Sequence, residues 1–119
     1  MIVNERSGAV IASEQRLLTS RFMHAFGLMF RRRLVDAGWV FLFRKTASWP
    51  LTNVFVFQRI DALWLDANKQ VLQVRTIAPF ALHVPGVAGT HFVIELPAGA
   101  ARRAGVRVGD TVSWEEKGI

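Results

Sequence analysis

The sequence predicts one compact, mainly β domain with an α+β flavour, a small β-sandwich or barrel-like fold with one or two short helices. Three observations predict it. The 119 residues suit a single domain, 1–119, and leave little room for a second. Hydrophobic residues make up 51% of the chain, with nine Phe and four Trp, so burial can offset the entropy of ordering. The apolar residues fall in several short runs bounded by Gly, Pro, Asp and Asn, the pattern of many short strands joined by turns.

Taken in order, Gly8 to Ala12 is short and β-branched enough for an opening or edge strand. Ser20 is an N-cap for a short helix whose Phe22, Met23 and Phe26 share a face and whose end is Gly27. Gly38 to Phe43 is a continuous apolar run, the signature of a strand buried on both faces. Trp49-Pro50 marks a break before a strand at Asn53 to Phe57. Ile60 to Leu65 and Val71 to Ile77 flank Asp66-Ala67-Asn68-Lys69, a hairpin turn in which Asp binds local backbone and Asn tolerates positive φ. Pro79 to Thr90 is a loop, His91 to Leu96 a strand, and Ala98 to Ala104 a second helix closed by Gly105. A turn at Gly109-Asp110 leads to a last strand, Thr111 to Glu115. There is no internal repeat and no linker rich in Pro, Gly or Ser.

The chain contains no cysteine, which excludes disulfides, thiolate chemistry and cysteine-bound zinc. Polar Asn4, Glu5, Arg6 and Ser7 stand where a signal peptide needs an apolar core, and the longest apolar run, Trp39 to Phe43, falls far short of a membrane span. A cytoplasmic protein without a membrane partner is therefore expected. The formal net charge is +6, and 12 of the 15 basic residues are Arg. Such a field favours anionic partners, although net charge also serves solubility.

The reactive inventory is thin. His24, His83 and His91 have no i+4 partner and no metal-ligand spacing, so no metal or other cofactor is expected. No nucleophile elbow, phosphate-binding loop or dinucleotide fingerprint is present. Asp61 stands apart, because strand alternation puts it on one face with Leu63 and Leu65. A carboxylate there needs a partner: an arginine, the amides of a neighbouring loop, or a ligand in a cleft. Arg31-Arg32-Arg33 is either a solvated basic loop or a phosphate-tracking patch, and Trp49, Trp64 and Trp114 are packing residues more than a stacking platform.

Several segments in order resemble the prokaryotic family called domain of unknown function 192 (DUF192), also uncharacterised protein family 0127 (UPF0127). They are Gly27-Leu28-Met29-Phe30-Arg31, Gly38-Trp39-Val40-Phe41-Leu42-Phe43, Ile60-Asp61-Ala62-Leu63-Trp64-Leu65-Asp66, Pro79-Phe80, Ile94-Glu95-Leu96-Pro97-Ala98-Gly99 and Gly109-Asp110. The likeness covers about residues 8–114 and implies a mainly β fold with short helices. Two positions depart from it: Arg59 stands where many members have Pro, and Thr52 to Phe57 is more apolar than the family's polar-aromatic motif. The family supplies no agreed activity, and fold analogy would not license one.

The leading expectation is a non-enzymatic binding or interaction module for a small polar or anionic ligand, bordered by Arg31, Trp49, Asn53 and Asp61. One alternative is a metal-independent hydrolase or lyase with Asp61 as base, assisted by His24 or His83. Another is a weak nucleic-acid binder acting through the Arg-rich surface.

Overall fold

In the computed structural model of the chain, residues 1–18, 37–47, 59–79 and 86–115 are described. Among them, eight strands and one short helix run in the order β1 (Ile2–Asn4), β2 (Val10–Ala12), β3 (Glu14–Leu18), β4 (Ala37–Ala47), β5 (Ile60–Leu65), β6 (Val71–Ile77), β7 (Thr90–Pro97), α1 (Ala100–Arg103) and β8 (Val112–Ser113). A small antiparallel sheet has the order β2-β1-β8, and a larger one the order β3-β4-β7-β5-β6. The larger sheet is antiparallel except for the parallel pair β3–β4. Neither sheet closes into a barrel among the described residues, so the mainly β expectation holds in its sandwich form.

The β5–β6 hairpin occupies the two segments expected of it because Asp66 organises the turn. Its Oδ1 accepts hydrogen bonds from the backbone N–H of Asn68 (2.9 Å) and Gln70 (3.0 Å). The left-handed residue is Lys69, with φ 63°, rather than Asn68. The late strand β7 enters between β4 and β5, so the centre of the sheet is built from segments far apart in sequence.

Directly opposed residues share a sheet face, which fixes the two sides. Asp61, Leu63 and Leu65 face one way with Leu96, Ile94 and Phe92, while Val40 lies across from Ile94. The hydrophobic members of this face form one core with Ile2, Ile11, Ala12 and Val112 of the small sheet and with Ala100, Ala101, Ala104 and Trp114. Gly38 lies where the two sheets approach. A Cβ there would collide with Ile2 Cδ1 and come within 3.0 Å of Leu96 Cδ2. The opposite face carries Ile60, Ala62 and Trp64 of β5 beside Val93 and Glu95 of β7. All six residues of β5 are buried, so this strand is covered on both sides.

Other boundaries shift for identifiable reasons. The opening strand contracts to Val10–Ala12 because Gly8 has φ 73° and lies in a turn closed by its N–H donating to the Asn4 carbonyl. β1 and β3 are strands that local composition does not announce. The second helix is a single turn, and the last strand is two residues long, with Thr111 in an isolated bridge to Gln70. The helix expected from Ser20 and the strand at Asn53 to Phe57 lie outside the described residues.

Candidate functional site

Asp61 is positioned by the second residue of β5 and is 2% exposed. Its Oδ1 accepts from the Thr76 hydroxyl (2.8 Å), and its Oδ2 accepts from the backbone N–H of Gly99 (3.0 Å) and Ala101 (3.1 Å). Thr76 lies directly opposite on β6, and the two amides belong to the residue that caps α1, Gly99, and to the second residue of the helix, Ala101. Gly99 permits the turn into α1, with φ 91°. The carboxylate therefore fastens the start of α1 to the sheet, satisfying amides that a helix start leaves without intrahelical partners.

A second carboxylate, Asp110, is buried and gathers the small sheet. Arg6 Nε donates to its Oδ1 (2.7 Å). Asn4 Nδ2 (3.0 Å) and the Arg107 N–H (2.8 Å) donate to Oδ2. Arg6 also donates to the Gly105 carbonyl (2.7 Å), so one guanidinium joins the β1–β2 turn to the segment that precedes β8. The hydrogen bond from Arg6, aided by those from Arg107 and Asn4, outweighs burial and holds the Asp110 carboxyl down at about 2. Both aspartates thus have protein donors on both oxygens.

Glu95 does not. It lies toward the C-terminal end of β7, only 7% exposed, and its Oε2 has no hydrogen-bond partner among the described residues. Burial pushes its carboxyl up to about 8, so the neutral acid predominates at pH 7. On the same face, Trp64 is fully buried and its indole Nε1–H also lacks an acceptor among the described residues. Glu95 opposes Ala62, and Trp64 is two residues further along β5, a diagonal neighbour at about 7–8 Å and within reach of long side chains. Buried polar atoms without partners are uncommon and costly, and two on one sheet face form a cluster. Chemically, the pair offers an indole donor and a carboxyl able to hold or release a proton.

Of the residues singled out from sequence, the structure describes Asp61. Arg31, Trp49 and Asn53 lie outside the described residues, as do His24 and His83. His91 is half-buried with its ring edge-on to Phe92, at 4.8 Å between centroids. Trp114 packs edge-on against Phe92 at 4.9 Å, with the Lys69 ammonium 4.4 Å from its ring centre. Sequence reasoning missed Glu95 and Asp110. The alternation that flagged Asp61 inside Ile60 to Leu65 applies equally to Glu95 between Ile94 and Leu96. No group of three His, Cys, Asp or Glu suited to a metal occurs among the described residues, and no helix there is long and apolar enough to cross a membrane.

The family model described as Uncharacterized ACR, DUF192, matches residues 2–114. The UPF0127 protein of Pyrococcus horikoshii is 28% identical over 114 residues, which span 96% of this chain and 98% of the relative. A protein of unknown function from Novosphingobium aromaticivorans has a crystal structure that superposes with a TM-score of 0.78 at 25% identity, covering 84% of this chain and 74% of that one. A crystal structure from Sinorhizobium meliloti has the same TM-score at 24% identity, covering 83% and 79%, and shares the fold.

Proposed function

We infer, given that this chain belongs to the uncharacterised family DUF192, that it is a non-enzymatic binding module whose small polar ligand docks on Glu95 and Trp64. One observation carries the reading: two buried polar atoms, Glu95 Oε2 and Trp64 Nε1, share a sheet face and have no hydrogen-bond partner among the described residues. A ligand supplying an acceptor to the indole and a donor to the carboxyl removes both costs at once. Asp61, by contrast, already accepts three hydrogen bonds, which argues against its use as a ligand anchor or as the base of a hydrolase or lyase.

The test is a ligand-observed screen of a metabolite library against the wild type, Glu95→Gln and Trp64→Phe, with Arg31→Ala, Trp49→Ala and Asn53→Ala in parallel. The expected result is a hit weakened about tenfold or more by either of the first two substitutions, the equivalent of one charge-assisted hydrogen bond. Hits that bind both variants as tightly as the wild type contradict the placement. Oligonucleotides included in the screen examine the Arg-rich alternative, which requires affinity that falls steeply with salt.

A further inference from the structure

We propose that residues 98–108 form a lid that lifts as one unit, uncovering the Asp61 carboxylate and the seam between β2 and β7. The inference is independent of the reading of Glu95 and Trp64. The segment leaves β7 after Pro97 and is fixed again at Gly109, whose N–H donates to the carbonyl of Val71, the first residue of β6 (2.8 Å). Between these two posts it belongs to neither sheet. Every backbone–backbone hydrogen bond described for residues 99–106 closes within the segment: the N–H of Arg103 donates to Gly99, Ala104 to Ala100, Gly105 to Arg102 and Val106 to Ala101. Lifting the segment therefore breaks no strand ladder, and elements of that kind open at a lower free energy than the strands around them.

A few side-chain hydrogen bonds and a small apolar surface hold the lid down. At its start, Asp61 Oδ2 accepts from the Gly99 and Ala101 amides. Toward its end, Arg6 donates to the Gly105 carbonyl (2.7 Å) and Asn4 Nδ2 to the Ala104 carbonyl (3.5 Å), while the Arg107 N–H donates to Asp110 Oδ2 (2.8 Å). The residues buried beneath are Ala100, Ala101 and Ala104, with Val106 partly buried, and α1 packs on β2 and β7. A methyl group buries far less apolar area than the Ile and Leu side chains of the core it covers. Arg102, Arg103 and Arg107 are exposed, so their charges stay in water whether the lid is closed or open.

The two sets of anchors act together because one helical turn joins them. Ala101, held by Asp61, accepts from Val106, the neighbour of Gly105, which is held by Arg6. A single turn does not persist in water once it is detached. Release at one end therefore unwinds the turn and releases the other, leaving two states: both anchors made, or both broken. Gly99 and Gly109, with φ 91° and 94°, stand at the two ends, where a hinge absorbs the change of backbone direction.

The experiment is native-state hydrogen exchange on the full chain, paired with thiol labelling. The chain has no cysteine, so Ala101→Cys and Ala104→Cys are unique reporters beneath the lid, and Ala62→Cys in β5 is the core control. The wild-type amides of Gly99, Ala101, Ala104 and Val106 should share one protection factor to within about threefold, about tenfold or more below those of β5 and β7. Both lid cysteines should label faster than Cys at position 62 by a similar margin. Asp61→Asn should speed labelling at both lid positions by one common factor of about five, and Arg6→Ala by one common factor of about ten or more. Lid amides that exchange no faster than those of β5 would mean that the segment opens only on global unfolding and would overturn the proposal. Lid amides without protection would overturn it too, since nothing would then be closed. A response confined to the end whose anchor was altered would show independent fraying in place of a lid. The wild-type exchange decides the first two outcomes even where a variant fails to fold, and unequal protection at the two ends decides the third.

Discussion

Asp61 and Glu95 are carboxylic acids on adjacent strands of one sheet, and the donors around them set their behaviour apart. Asp61 receives a hydroxyl and two backbone amides at 2.8–3.1 Å, so both of its oxygens have donors where they lie. Replacing it separates two roles. Asp61→Ala leaves the Gly99 and Ala101 amides and the Thr76 hydroxyl without their acceptor and should cost about 2–4 kcal/mol in chemical denaturation. Asp61→Asn should cost about 1 kcal/mol, because its amide oxygen can face the two N–H groups while its NH₂ donates to the Thr76 hydroxyl. A functional anchor would show the reverse pattern, with the Asn variant stable but deficient in binding. Glu95 lacks such donors, and its neutral form is the consequence.

At the scale of elements, Asp110 ties β1 to the segment before β8 by receiving Arg6, Asn4 and the Arg107 amide. Because its carboxyl is held below the ordinary value of 3.8, its contribution to stability is present above that value and lost as pH falls toward about 2. Asp110→Asn should therefore lower the Tm at pH 7 and show a smaller further loss between pH 4 and pH 2 than the wild type, a comparison that thermal melts make directly. The same elements show which parts of the fold are legible in sequence. The β5–β6 hairpin is legible because Asp66 binds amides two and four residues away, a local interaction. β1 and β3 are not, because Asn4, Glu14, Gln15 and Arg16 become strand only by pairing with β8 and β4, partners supplied by the tertiary fold. For the site, strand alternation is enough to flag an inward carboxylate. Which acid finds donors depends on β7 entering between β4 and β5, and no local pattern encodes that order.

At the largest scale, one face of the larger sheet supplies the core shared with the small sheet, and the other buries Glu95 Oε2 and Trp64 Nε1 without hydrogen-bond partners among the described residues. Well-packed domains leave few such groups, and binding sites are where they are retained. The account has a thermodynamic signature. Glu95 binds its proton more tightly when folded than at the ordinary value of 4.5, so its favourable contribution is full below that value and is lost as pH rises toward 8. Asp110 acts at the acid end in the opposite sense, its contribution being lost as pH falls below the ordinary carboxylate value. At about 1.4 kcal/mol per pH unit, the loss attributable to Glu95 as pH rises from 4.5 toward 8 is several kcal/mol, and Glu95→Gln should remove it. The most direct test is an NMR pH titration of the Glu95 side-chain carboxyl carbon in the intact, ligand-free chain. The account predicts a midpoint near 8. A midpoint near 4.5, the ordinary glutamate value, would mean that Glu95 is paired or solvated and would contradict the proposed site.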